Sequence, residues 1–198
     1  MAQEDLTDVF QRNKYNLQNA ARKSRQWFDQ QVLLIKQQQL TPNKAFKSQS
    51  TEMTSRIMPG YLYMFYYDAK HKDTLPYWDS FPLVFPFAKT KDGFMGLNMH
   101  YLPYQLRVVL LSRLMHFASN DKLDETTKLK YSWQLIAGVS KYAAAAPCVK
   151  HYLNDHVSST FKRVNANDWA TAMLLPVESF VGANKLSVWQ ESKRRANR

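Results

Sequence analysis

The sequence predicts an α+β fold: a small, strongly bent antiparallel sheet of SH3-like character, packed with a C-terminal helical bundle and accompanied by a long N-terminal helix. Residues 58–103 concentrate aromatic residues, prolines and a hairpin turn, as short strands do. The segments before and after this block repeat apolar residues at helical spacing. With 198 residues, of which 45% are hydrophobic, the chain is long enough for one core and an extension.

The N-terminal region, residues 1–40, is predicted to form a long amphipathic helix. A face of this length needs a partner, either the body of the protein or another subunit. Residues 41–56 are polar and lack periodicity, which is typical of a linker. The apolar positions recur at steps of three, four and seven: Leu6, Phe10, Leu17, Ala21, Phe28, Val32 and Ile35.

Residues 57–102 are predicted to form the β-rich part of a single domain, 57–198. Tyr61–Tyr67 is dense in aromatic residues, as in a strand covered on both faces. Leu83–Phe85 lies between two prolines, which favour the edge of a sheet. Asp92 and Gly93 suit a tight hairpin turn, after which the chain returns as a third strand.

Residues 103–198 are predicted to be the helical part of the same domain. Pro103 suits the first position of a helix, and Pro176 opens the last one before a basic tail. The intervening helices are predicted at Lys128–Tyr142, at Pro147–Val157 and through Trp169 to Leu174.

The residue types needed for catalysis or metal binding are present, but their spacing is unfavourable. His151 and His156 are five apart and do not share a helix face, and Cys148 has no second cysteine nearby. Cys148 beside His151 has the residue types of a thiol nucleophile, yet a small buried residue is the better interpretation. Asp68, Asp73 and Asp79 alternate with bases in one predicted loop, so a Mg²⁺-dependent nuclease is kept only as an alternative. We predict no catalytic residue, metal or cofactor.

The charge of the chain favours a polyanionic partner. The net charge is +11, and four lysines balance four aspartates in residues 57–102, so the excess lies in the flanking segments. This predicts nucleic acid first and an anionic membrane second, with no apolar run of the roughly 20 residues that span a bilayer. The lone cysteine suits a reducing cytoplasm or a virus assembled there.

Candidate phosphate-binding residues occur in three clusters, with two aromatic residues after Pro76 as candidates for stacking on bases. The second cluster is expected on an exposed turn, and the third at a chain end able to follow a DNA backbone. The predicted DNA-binding residues are Arg22, Lys23, Arg25, Lys162, Arg163, Lys193, Arg194, Arg195, Arg198, Tyr77 and Trp78.

Residues 57–195 resemble a family from large contractile-tailed bacteriophages of the T-even type, the DNA end protector or head completion proteins. The run KDTLPYWDSFPLVFPF and the following KDGFMGLNMHYLPYQLRVVLL carry the resemblance, together with APCVKHYLNDHV and LLPVESFVGANKLSVWQESKRR. The resemblance implies a virion protein placed at packaged DNA ends that also helps to complete the head. It implies no particular catalytic or binding residue.

Two further functions are therefore considered in addition to the alternative of a nuclease. In the first, a non-enzymatic virion protein, made in the host cytoplasm, binds double-stranded DNA ends or packaged DNA and shields them from host exonuclease. In the second, the protein is a structural connector, neck or tail component that docks to other virion subunits through its N-terminal helix. Head, portal, neck or tail proteins are the expected protein partners, with self-association through the N-terminal helix and no membrane.

Overall fold

The computed structural model describes residues 51–118, 120–166 and 169–196. The strands are β1 (Thr51–Thr54), β2 (Leu62–Met64), β3 (Trp78–Asp79), β4 (Leu83–Lys89), β5 (Gly93–Asn98), β6 (Val149–Leu153), β7 (Phe161–Val164) and β8 (Phe180–Val181). The α-helices are α1 (Tyr104–Ala118), α2 (Glu125–Val139), α3 (Trp169–Leu174) and α4 (Lys185–Ala196). Short 3-10 helices lie at Met99–Tyr101, Ala143–Cys148 and Asn154–His156. None of the helices in these ranges is long and apolar enough to cross a membrane.

Six strands form one antiparallel sheet in the order β1-β7-β2-β4-β5-β6, and β3 pairs with β8 in a second, two-stranded sheet. The predicted fold is therefore wrong: the sheet is not confined to residues 57–102, and the residues after 103 do not form a helical bundle. The segment predicted as a helix at Pro147–Val157 contains β6 between two 3-10 helices. In β6, exposed His151 alternates with buried Tyr152, the period of a strand.

The segment from β6 to β7 bends the sheet around a small aromatic core. Its first part pairs with β5, where Phe94 lies opposite Tyr152, and its second part pairs with β2. Between them, a bridge joins Val157 to Tyr67, just after β2. Because one segment pairs with strands from two parts of the sheet, it encloses the side chains between them. The buried members of this core are Tyr63, Phe65, Val84, Phe94 and Tyr152.

The opposite face of the sheet carries the main hydrophobic core, which it shares with the helices. Phe85 of β4 meets Trp169 of α3 edge to face, with ring centroids 5.1 Å apart. The indole nitrogen of Trp169 donates a hydrogen bond to the carbonyl oxygen of Val164, which ties α3 to β7. The central strands are thus covered on both faces, which explains their nearly continuous apolar sequence.

The predicted N-terminal helix (1–40) and most of the predicted linker (41–56) lie outside the described residues. Thr51–Thr54, at the end of that linker, form β1 and pair with β7. The helices expected after Pro103, near Lys128 and through Trp169 are found as α1, α2 and α3. The domain boundaries themselves stay a prediction.

Candidate nucleic-acid interface

A buried polar network fixes the end of β5. The Oδ2 atom of Asp79 accepts a hydrogen bond from the side-chain amide of Asn98 at 2.9 Å and lies 2.7 Å from Nδ1 of His100. The same amide nitrogen donates to the hydroxyl of Tyr152, and the other oxygen of Asp79 accepts from the backbone of Phe81. All these side chains are buried, so the network holds β3 to the main sheet.

A buried arginine extends this network to the C-terminal part of the chain. The guanidinium of Arg107 donates to Glu178 at 2.7 Å and to the carbonyl oxygens of Leu102, Met173 and His100. Burial alone would raise the pKa of Glu178, but the positive charge of Arg107 and its hydrogen bond hold that pKa below its ordinary value. The two buried charges therefore compensate each other.

The first half of α4 is anchored to this network. The indole nitrogen of Trp189 donates to the carbonyl oxygen of His100 at 2.8 Å, and Lys185 donates to the hydroxyl of Tyr104 at 3.0 Å. The guanidinium carbon of Arg107 lies 4.6 Å from the ring centroid of Tyr104 and 5.5 Å from that of Trp189. The helix α4 also packs on Ala143–Cys148, the segment directly before β6, which fixes its position relative to that segment.

Cationic side chains from α4 and β6 gather around two tyrosine rings at this place. The ring centroids of Tyr77 and Tyr101 are 6.1 Å apart, and the ammonium of Lys150 lies 3.9 Å from the centroid of Tyr101. Partial burial raises the pKa of Tyr77, whereas the nearby charges of Arg195 and Arg194 lower it. Exposed Lys193 lies on the same helical turn. We call the surface that these interactions define the basic cluster: Tyr77, Lys150, Arg194 and Arg195.

The cations of the basic cluster differ in their exposure to solvent and in the pH at which they lose a proton. Arg194 and Arg195 both pair with Glu191 on the exposed side of α4. The pKa of Lys150 is lowered to about 8, chiefly by burial and to a smaller extent by the positive charge of Arg195, whereas Cys148 and Asp79 act in the opposite direction. The cluster therefore combines exposed cations with one lysine that titrates just above neutral pH.

Cys148, directly before β6, is fully buried, and its burial raises the pKa of the thiol to about 12. His151 is exposed instead and lies 3.2 Å from a carboxylate oxygen of Asp92. Cys148 ends the 3-10 helix that packs in the main core, whereas His151 lies on the exposed side of β6, so the two side chains are in different environments. The pair is therefore not arranged as a thiol nucleophile with its base.

Only part of the predicted site residues come together. Tyr77, Arg194 and Arg195 belong to the basic cluster, and Lys193 is exposed on the same turn of α4. Half-buried Trp78 pairs instead with Val181 across the two-stranded sheet. Arg22, Lys23, Arg25 and Arg198 lie outside the described residues. Lys150 was not predicted as a site residue. The sequence feature that could have identified it is its position two residues before a buried aromatic residue, in a segment where exposed and buried residues alternate.

Lys162 and Arg163 do not lie on an exposed turn, so that prediction of their location is wrong. Both belong to β7, a strand paired with β1 on one side and β2 on the other. Lys162 is buried, with 3% of its surface exposed, and Arg163 is half-buried with its guanidinium 4.9 Å from the ring centroid of Tyr61. Their charge suggested a turn, but long-range pairing places them in a strand.

The three aspartates of the alternative nuclease site do not converge. Asp68 and Asp73 are exposed, and Asp68 pairs with Lys72 at 2.9 Å, whereas Asp79 is buried in the network described above. In residues 51–196, apart from the undescribed positions, no group of three or more His, Cys, Asp or Glu side chains is placed to hold a metal ion.

The loop that carries Tyr77 is held by β8. Gly182, which follows β8, has a φ of +86° and faces this loop so closely that a Cβ atom there would lie 2.6 Å from the carbonyl oxygen of Pro76. Since only glycine combines this backbone with so close an approach, β8 can press directly on the loop. The position of Tyr77 is thereby fixed beside Tyr101.

These features define a mixed α/β protein with exposed cations arranged around aromatic rings, a composition typical of surfaces that bind nucleic-acid backbones. Residues 6–193 match the family described as the phage T4 terminal DNA protecting protein, and the chain belongs to this family. The match confirms the resemblance seen in the sequence and extends it toward the N terminus; Arg194 and Arg195 lie just beyond it. Neither a curated protein nor a solved structure matches the chain.

Proposed function

We propose that this protein binds the ends of double-stranded DNA through phosphate contacts and shields them from host exonuclease, without itself catalysing a reaction. Membership of a DNA protecting family supports the partner. One observation supports the surface: Tyr77, Lys150, Arg194 and Arg195 come from distant parts of the sequence and lie together beside the last turn of α4. Protection of this kind requires occupancy of the terminal base pairs and no catalytic group.

In the ion pairs of the basic cluster, a DNA phosphate can replace the carboxylate as the partner of the arginines. Glu191 accepts hydrogen bonds from both Arg194 and Arg195, whose side chains are 63% and 56% exposed. Exposed pairs of this kind contribute little to stability, so a phosphate can replace the carboxylate at low cost. Arginine presents a planar fork of donors that matches two phosphate oxygens, and each neutralised phosphate makes binding more sensitive to salt.

We further propose that the protein acts on virion DNA and is held near the DNA ends by other head or portal proteins. The association with DNA ends follows from the family description, whereas no contact with another subunit is part of the described structure. Docking through the N-terminal residues 1–40, in a connector or as a homo-oligomer, stays a prediction from the sequence.

Exonuclease protection of a linear duplex tests the proposal. The full chain is incubated with linear DNA, digestion is measured over a range of salt concentrations, and binding to closed circular DNA of the same sequence is measured in parallel. We expect protection of the linear form that weakens steeply as salt rises. No protection at low salt, or equal binding of linear and circular DNA, would contradict end binding.

A matched pair of double variants tests the surface. Arg194→Gln with Arg195→Gln removes two charges from the basic cluster, and Lys89→Gln with Lys91→Gln removes two exposed charges from the β4–β5 hairpin. The first variant should lower the slope of log affinity against log salt by about 2, at about one per lost phosphate contact. The hairpin variant should keep the slope of the unmodified protein. Equal slopes in both variants would place the interface elsewhere.

A further inference from the structure

A cavity of about 150 Å³ lies between α2 and β7, outside the basic cluster. Two cations and one carboxylate contribute to its wall: Lys128 and Glu125 from the first turn of α2, and Arg163 from β7. Tyr61, Ser132 of α2 and Asn165, the residue after β7, complete its polar lining. The cavity thus carries net positive charge in a concave site, the combination that binds small anions.

Arg163 is held in place by its surroundings. Its guanidinium lies over the ring of Tyr61 at 4.9 Å, and its backbone pairs with Tyr63 and Glu52 in the sheet. A stacked guanidinium has already lost much of its rotational freedom, so less entropy is lost when it binds a ligand. Arg163 therefore contributes a positive charge of restricted mobility to the wall of the cavity.

One side of the cavity is closed by direct backbone packing. Gly60 has a φ of +92°, and a Cβ atom there would lie 2.7 Å from the carbonyl oxygen of Leu129 in α2. The segment before β2 can approach α2 this closely only because residue 60 is glycine. On this side the cavity is closed, so a continuous chain cannot leave it there.

We propose that this cavity binds the terminal phosphate monoester of a DNA strand. An internal phosphodiester is flanked by a sugar on both sides and needs an open groove, whereas a strand end can enter a recess. A terminal phosphate also carries more negative charge than a diester, and Lys128 and Arg163 approach it from two different elements. This inference rests on the proposed binding of DNA ends and names the group by which an end is distinguished from continuous duplex.

Glu125 is the residue that a bound phosphate would displace. Its carboxylate is 2.9 Å from the ammonium of Lys128, and its side chain is 82% exposed. Because such a pair contributes little, Glu125 can turn into solvent while Lys128 binds the phosphate. Removing this carboxylate should strengthen phosphate binding, an effect opposite to that of removing either cation.

Binding of end-labelled hairpin duplexes to the full chain tests the proposal. The hairpins have one open end that carries a 5′-phosphate, a 3′-phosphate or hydroxyl groups only, at constant salt. We expect about tenfold tighter binding of one phosphorylated form than of the hydroxyl form, since hydrogen bonds to a charged group are worth about this much. The comparison of the two phosphorylated forms identifies which strand end enters the cavity.

Four single variants assign the effect to the cavity. Arg163→Gln and Lys128→Gln should remove the preference for phosphate, and Glu125→Gln should increase it about twofold or more through loss of a competing carboxylate. Lys130→Gln removes an exposed charge from the same helix and should leave the preference unchanged. Because Glu125 is exposed, its variant is expected to fold, and circular dichroism melting curves check all four.

The outcomes separate this inference from the proposed function. Equal binding of all three hairpins, together with exonuclease protection, would overturn the phosphate site and leave end protection standing. An unchanged preference in Arg163→Gln and Lys128→Gln would also overturn it. If the protein binds no DNA, its melting temperature is compared with and without a deoxynucleoside 5′-monophosphate. No shift in melting temperature overturns the phosphate site. A shift that is lost in Arg163→Gln supports the phosphate site even though the proposed function has failed.

Discussion

Arginine pairs with glutamate in two regions of this molecule, in opposite surroundings. The side chains of Arg107 and Glu178 are 0% and 2% exposed, and they connect α1 to the segment before β8. Arg194 and Arg195 share Glu191 on the surface of α4, where the two arginines are more than half exposed. The buried pair thus stabilises the fold near the start of α4. The exposed pairs at the end of α4 can instead exchange their carboxylate for another anion.

Burial explains the difference. In the interior, each charge depends on the other, because neither can be solvated if its partner is removed. At the surface, water and ions solvate whichever group loses its partner, so the pair contributes little to folding. Buried ion pairs are accordingly positions where substitution damages the fold, and exposed pairs are positions where it changes binding.

The largest effect is expected for Arg107→Met. Loss of the guanidinium removes its hydrogen bonds to Glu178 and to the carbonyl oxygens of Leu102 and Met173, while the carbonyl oxygen of His100 keeps the indole of Trp189, so the free energy of unfolding should fall by about 3–5 kcal/mol. Urea denaturation followed by circular dichroism measures it. Adding Glu178→Leu should restore part of the loss, because the uncompensated charge is then removed. A loss below about 1 kcal/mol in the single variant would contradict the comparison.

An effect of intermediate size on DNA affinity and on stability is expected when the pH is raised, because Lys150 loses its proton. With a pKa of about 8 in the folded protein, its ammonium loses its proton as pH rises from 7 to 9, so DNA affinity should fall over that range. Between about pH 8 and the ordinary value of 10.5, the unfolded chain binds more protons than the folded one, so this lysine should make the free energy of unfolding rise with pH. Titrations of binding and of denaturation measure the two effects.

Lys150→Met is the control for both titrations. It should reduce the fall of affinity between pH 7 and 9 and also reduce the rise of stability above pH 8. Identical pH profiles for the variant and the unmodified protein would show that Lys150 is not the titrating group.

The smallest effect is expected for Glu191→Gln. The hydrogen bond from Arg195 lowers the pKa of Glu191, which favours the charged carboxylate beside the arginines. Neutralising it should tighten DNA binding a fewfold at low salt and leave the melting temperature nearly unchanged. Fluorescence anisotropy at two salt concentrations measures the change. Weaker binding by this variant would mean that Glu191 orients the arginines and does not compete for them.

Local features of the sequence predicted local features of the fold. Asp92 and Gly93 indicated a hairpin, and β4 and β5 are joined there, with the backbone amide of Thr90 donating to the carbonyl oxygen of Gly93. The sequence failed where pairing is long-range. Lys162 in β7 is charged yet buried, and nothing near it in the sequence indicates that β1 and β2 lie on either side.

The site shows the same division. Arg194 and Arg195 could be identified as exposed cations because they end a helix after an apolar face. The proximity of these arginines to Tyr77 and Lys150 could not be predicted from the sequence, since it depends on the packing of α4 against Ala143–Cys148. Asp79 shows the reverse error: it belongs to a polar, turn-rich stretch that predicts an exposed loop, but His100 and Asn98 hold it in the interior.

The buried thiol of Cys148 has a practical consequence for mapping the DNA contact. Thiol reagents react with the thiolate, and with a pKa of about 12 this single cysteine stays protonated and out of their reach. A cysteine introduced at exposed Leu186, in the first turn of α4, should therefore be labelled selectively by a maleimide dye in the otherwise unmodified protein. Energy transfer from such a dye to a labelled DNA end would report how far the duplex terminus lies from α4.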